Sequence, residues 1–133
     1  MVVKKKSTAE VYEISELARM IFEKINIGDR IALEGPLGAG KSTFAAEIIR
    51  LYGLKYEGSP TFTYVNRYFL PGLNTYLLHS DLYRSTAFEE LIENDNISLI
   101  EWMPEVLLPI LKPRFIVEIN KNHLCTWREH GKV

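Results

Sequence analysis

The chain has 133 residues, 47% of them hydrophobic and 25% charged, which makes one ordinary globular domain with room for a core but not for a second domain. Its formal net charge of -1 excludes a broad electrostatic footprint for nucleic acid, and one cysteine excludes a disulfide framework. No apolar run approaches the ~20 residues of a membrane span and no secretory pattern opens the chain, so the expected setting is the reducing cytoplasm.

Apolar residues recur at Val11, Ile14, Leu17, Ala18, Ile21, Phe22 and Ile25, which predicts a helix over Glu10 to Lys24. Ile27-Gly28-Asp29 turns into a short apolar strand, Arg30 to Glu34, of the kind a buried parallel sheet uses. A second helix follows over Ser42 to Tyr52, with Phe44, Ala45, Ile48, Ile49 and Tyr52 on one stripe and Gly53 as its stop. Lys55 to Ser59 reads as polar connector. Thr61 to Phe69 and Thr75 to Ser80, joined through Pro71-Gly72-Leu73-Asn74, predict an antiparallel hairpin. Thr86 to Asn94 is expected as a short helix and Ile97 to Ile100 as another buried strand. Pro104 and Pro109 bracket a brief helical turn, and Phe115 to Ile119 with Leu124 to Trp127 form a final strand pair. Cys125 in that last strand reads as a packed, inert thiol. The sum is a single α/β domain over residues 1–133, its mixed sheet parallel near the middle, antiparallel elsewhere and flanked by helices.

Between the first strand and its helix stands Gly35-Pro36-Leu37-Gly38-Ala39-Gly40-Lys41-Ser42, which fits G-x-x-x-x-G-K-[ST] at every fixed position. Glycines in such a loop let backbone N–H groups turn inward around a phosphate, the lysine reaches the β- and γ-phosphates, and the hydroxyl can ligate Mg²⁺. The following helix N-terminus favours the same negative charge. Gly35, Gly38, Ala39, Gly40, Lys41, Ser42 and Thr43 are therefore the candidate phosphate-binding residues of a P-loop NTPase, with ATP and Mg²⁺ as the expected cofactors.

A cation held by Ser42 and phosphate oxygens needs one or two carboxylates at the carboxyl end of a neighbouring strand. Asp81 and Glu101 each follow an apolar run directly, and both are candidates to hold the metal or position water. Each also has the rival role of a cap or turn residue. Thr61, in Ser59-Pro60-Thr61, is placed where nucleotide switches carry a γ-phosphate sensor, with a Pro-set turn as the alternative. Arg84 is a candidate charge stabiliser or an exposed ion-pairing residue. His79-x-Asp81 has no third ligand nearby in sequence, which argues against a transition-metal site. Asn120-Lys121-Asn122-His123 nearly spells the N-K-x-D guanine-reading motif, but His123 stands where the aspartate belongs, so a polar hairpin turn is expected and GTP specificity is not.

Taken in order, these pieces resemble the TsaE (YjeE) family, the small bacterial ATPases of tRNA threonylcarbamoyladenosine biosynthesis. The resemblance runs nearly the whole length through Gly28-Asp29, the loop from Leu33 to Phe44, Ser59-Pro60-Thr61-Phe62-Thr63-Tyr64-Val65, His79-Ser80-Asp81-Leu82-Tyr83-Arg84 and Ile100-Glu101-Trp102. It implies a Mg²⁺-dependent ATPase with Lys41, Asp81 and Glu101 in the catalytic machinery and Ser42, Asp81 and Glu101 toward the metal. It also implies a TsaB–TsaD assembly as partner, with tRNA contacted only indirectly and no membrane. Ser42 stands where the family more often has threonine, which keeps the hydroxyl. At the adenine end this chain offers Ile14 and either His123 or Arg128. Two other readings stay open: a small P-loop kinase, disfavoured by the lack of an Arg-rich lid, and a nucleotide-gated binding module with little turnover.

Overall fold

The computed structural model describes residues 10–60, 65–83, 88–93 and 95–130. The expected strand after the loop falls partly on residues 61–64, and the expected short helix partly on 84–87 and 94; Thr61 and Arg84 lie outside the described residues. Seven strands form one sheet: β1 (Tyr12–Glu13), β2 (Arg30–Glu34), β3 (Val65–Leu70), β4 (Thr75–Asp81), β5 (Ile97–Glu101), β6 (Phe115–Ile119) and β7 (Leu124–Glu129), in the order β1-β7-β6-β2-β5-β4-β3. β2 runs parallel to both β5 and β6, and β4 runs parallel to β5. The hairpin β3–β4 and the outer pairs β6–β7 and β1–β7 are antiparallel. The expected mixed sheet is thus present, with its parallel part at the centre.

Strand alternation sorts the core into two layers. Ile31, Leu33, Leu77, Leu99 and Val117 face α1 (Ile14–Phe22) and α2 (Lys41–Leu51), where Leu17, Ala18, Ile21, Phe44, Ala45, Ile48 and Ile49 complete a fully buried cluster. Leu78 and Ile100, one residue out of phase, face the other way and pack with Leu91, Leu107 and Leu111. Those three come from short elements, the 3₁₀ turns Glu89–Ile92 and Glu105–Leu107 and the four-residue α3 (Leu108–Leu111). One face therefore carries long amphipathic helices, and the other is closed by brief turns.

Two expectations about the elements change. The first helix begins at Ile14 and not at Glu10, because Tyr12 and Glu13 pair with Cys125 and Leu124 at the sheet edge. Glu13 then caps the helix through a reciprocal capping box with Glu16. The described part of the element expected over Thr86 to Asn94 is a 3₁₀ turn, not an α-helix, with Leu91 alone of its residues buried. The brief helical turn expected between Pro104 and Pro109 is present as Glu105–Leu107, and the chain runs on into α3, whose first turn holds Pro109, where a missing N–H has no intrahelical partner to lose.

Arg30, the one basic residue of the apolar strand β2, is buried. Its guanidinium donates to the carbonyls of Leu91 (2.6 Å), Ile92 (2.6 Å) and Leu111 (2.8 Å), tying the start of β2 to the turns that close the second face. Cys125 is buried against the core as expected, and burial pushes its thiol up to about 11.

Candidate functional site

The central parallel strands β2, β4 and β5 all end at one edge of the sheet, and the loop from Gly35 to Gly40 leaves β2 there. Ligands of such sheets lie outside the carboxyl ends of the strands. Two glycines fix the loop's course. Gly35 has φ +151°, and a Cβ on it would stand 2.2 Å from the carbonyl oxygen of Ile119 on β6. Gly40, the cap of α2, has φ +123°, and its Cβ would stand 2.6 Å from Ile14 Cδ1. The loop is thus pressed between β6 and α1, where only a bare backbone fits.

Lys41 is buried at the first position of α2. Its Nζ donates to the carbonyls of Gly35 (2.6 Å) and Pro36 (3.0 Å), and it lies 4.0 Å from the centroid of the Trp102 ring. Burial pulls the lysine's pKa down, while the nearby charges of Glu101 and Asp81 act the other way. Trp102 also packs on Tyr83, ring centroids 4.9 Å apart, and its backbone is left-handed at φ +59°.

Both candidate carboxylates are the last residues of their strands, and the register sets Asp81 directly beside Glu101. Glu101 is buried, and its Oε2 accepts from Ser42 Oγ at 2.9 Å. Having given its one proton to Glu101, Ser42 must accept in its 3.1 Å contact with Ser59 Oγ, which leaves one oxygen lone pair for a cation. A hydroxyl, a carboxylate and a helix start form a hard-oxygen site that suits Mg²⁺ completed by phosphate oxygens. Asp81 plays its rival role here as well: its Oδ1 accepts from the Tyr83 N–H at 2.9 Å, closing the turn after β4.

Sequence reasoning missed the partner of Glu101 on the other side. His79, fully buried on β4, places Nε2 at 2.6 Å from the same Oε2. One spacing carried the only hint, since His79 precedes Asp81 by two residues and so shares its face of the strand.

Thr43 is exposed on the first turn of α2 and lines a cavity of about 360 Å³ with Glu13, Ile14, Ser15, Glu47 and His123. Ile14 and His123 therefore meet beside the loop, whereas Arg128 faces Glu118 at 3.6 Å, away from this cavity. His123 stands in the polar turn between β6 and β7, where Asn120 Oδ1 accepts from Asn122 N–H at 2.8 Å, and its Nδ1–H donates to the Ala39 carbonyl at 2.7 Å. The turn that fails to spell a guanine motif thus braces the tip of the phosphate loop.

A family model described as "Threonylcarbamoyl adenosine biosynthesis protein TsaE" matches residues 8–128. The chain belongs to the TsaE family. The TsaE protein of Rickettsia typhi is 35% identical over 117 residues, covering 81% of this chain and 78% of the relative. That of Borreliella burgdorferi is 32% identical over 120 residues, covering 84% and 83%. The crystal structure of Bacillus subtilis YdiB superposes with a TM-score of 0.62 at 25% identity, over 84% of this chain and 74% of that one. A TsaE fold accounts for the arrangement found above, a single P-loop NTPase sheet with the loop at the end of its central strand. Among the described residues, no helix of this TsaE chain is long and apolar enough to cross a membrane.

Proposed function

We propose that this chain is a Mg²⁺-dependent ATPase of tRNA threonylcarbamoyladenosine biosynthesis, slow alone and driven by a TsaB–TsaD assembly that it resets between turnovers. The observation that carries the reading is the 2.9 Å bond from Ser42 Oγ to Glu101 Oε2 at the head of α2. It joins the loop hydroxyl to a buried acid at the end of β5, the pairing of hydroxyl and carboxylate that a shared cation beside the phosphates needs.

In this reading Gly35, Gly38, Ala39 and Gly40 offer N–H groups to the phosphates, Lys41 exchanges its loop carbonyls for phosphate oxygens, and Ser42 and Glu101 hold the cation. When bound, Mg²⁺ neutralises charge on the phosphates as the terminal bond breaks. Asp81, beside Glu101, helps hold the cation or orients the attacking water. Ser59, in contact with Ser42, carries the γ-phosphate state along Ser59-Pro60-Thr61 toward the partner. The cavity between Thr43, Ile14 and His123 is the adenine end. A near-neutral chain leaves tRNA to its partners and works beside them in the cytoplasm.

The test is phosphate release from ATP by the chain alone, then with the TsaB and TsaD proteins of the same organism. Near-idle turnover that rises with the partners supports the reading. Turnover that ignores them and demands a metabolite supports the kinase instead, and ATP-gated partner binding without turnover supports the binding module. A Glu101→Ala protein that keeps Mg²⁺-dependent turnover removes Glu101 from the cation.

A further inference from the structure

We propose that His79 is a positioning residue for Glu101, fixing its carboxylate for the nucleotide-bound cation; this rests on the Mg²⁺-dependent nucleotide reading above. Three observations converge. His79 is fully buried, and its Nε2 lies 2.6 Å from Glu101 Oε2. That oxygen also takes the Ser42 hydroxyl, so two donors meet on one atom. The register pairs His79 with Leu99 and Asp81 with Glu101, so the imidazole reaches diagonally across to β5, two residues past its own partner Leu99.

The chemistry assigns the protons. A carboxylate only accepts, so Nε2 carries the hydrogen, and in the neutral imidazole the lone pair rests on Nδ1. Among the described residues Nδ1 has no hydrogen-bond partner, so the ring's polar contact here is the one to Glu101. A fully buried histidine with one hydrogen bond is costly as core filling, because an apolar side chain would pack there without an unpartnered nitrogen. What it supplies is orientation. Ser42 holds Glu101 through a hydroxyl that also has to face the cation and the phosphates, whereas the ring donor is set by β4 and leaves the carboxylate only one way to turn. Donors behind a metal-binding carboxylate act in this manner generally, and their loss weakens metal binding more than it disturbs the fold.

The experiment measures Mn²⁺, standing for Mg²⁺, bound by the full chain with a hydrolysis-resistant ATP analogue, counting free Mn²⁺ by electron paramagnetic resonance. The analogue's affinity in EDTA is measured alongside. His79→Leu is expected to weaken Mn²⁺ binding about 10- to 100-fold while metal-free nucleotide affinity moves less than about 3-fold. His79→Gln, whose Nε2 donor reaches the same place, is expected to recover most of the loss; His79→Asn, whose shorter amide stops at the Nδ1 position, is not. Unchanged Mn²⁺ affinity in His79→Leu overturns the proposal, as does an equal loss of Mn²⁺ and metal-free nucleotide, which marks a structural role. If His79→Leu loses its cooperative melt, the Gln and Asn variants decide, and equal Mn²⁺ affinities in those two overturn it. A wild-type chain that binds the analogue but no Mn²⁺ overturns the Mg²⁺ reading and this proposal together.

Discussion

Lys41 shows how far a motif can be read and where it stops. Its place in Gly35-Pro36-Leu37-Gly38-Ala39-Gly40-Lys41-Ser42 states its task, but nothing in that string says that the ammonium sits against Trp102, sixty-one positions on, or spends its protons on Gly35 and Pro36. To reach a phosphate it must leave all three, and an indole that loses a cation changes its emission. Adding Mg·ATP is expected to shift tryptophan fluorescence in the wild type and in Trp127→Phe but not in Trp102→Phe; a wild type with unchanged emission at saturating ATP would mean Lys41 stays where it is. Cys125 carries a second prediction. Burial holds its thiol at about 11 against an ordinary 9.0, so the folded state keeps the proton that the unfolded chain releases first. Stability linked to this group is present below pH 9 and lost as pH rises through 11, about 2–3 kcal/mol in all. Denaturant titrations of Cys125→Ala between those limits should show a shallower alkaline decline by that amount.

At the scale of elements, periodicity made the long pieces legible and tertiary pairing decided the rest. The stripes of α1 and α2 and the apolar runs of β2, β5 and β6 are properties of local sequence. β1 is not: two residues become a strand only because β7 lies beside them, and the helical pattern continues through Tyr12 and Glu13 unbroken. The turn Glu89–Ile92 was legible as a short helical element but not as a 3₁₀ turn, since the carbonyls at its end are taken by Arg30, far upstream. Arg30→Leu should strand three carbonyls in the interior and cost roughly 3 kcal/mol, seen as a melting temperature about 10 °C lower. A melt unchanged within 2 °C, on the order of 0.5 kcal/mol, would show that water reaches those carbonyls. The same logic explains the site. Asp81 and Glu101 were visible as acids at strand ends and Ser42 as the hydroxyl of the loop motif, while His79 beside Glu101 and His123 beside Ala39 depend on which strands neighbour which.

At the scale of the whole molecule, sheet order and chain order disagree. The central strand β2 is made early, yet its neighbours β5 and β6 come from the later part of the chain, and β1 waits for β7. Non-local pairing of this kind is slow to form and leaves no stable half. Gly35 gains its wall from Ile119 and Ala39 its brace from His123. A chain ending at residue 114 should therefore fail to be retained on immobilised ATP, whereas the full chain is retained; retention of both would place the loop's support elsewhere. During translation the phosphate loop leaves the ribosome long before the residues that shape it. Nascent chains therefore carry the loop unshaped until β6 and the β6–β7 turn have emerged, so its geometry is a late product of translation and not a property of the motif itself.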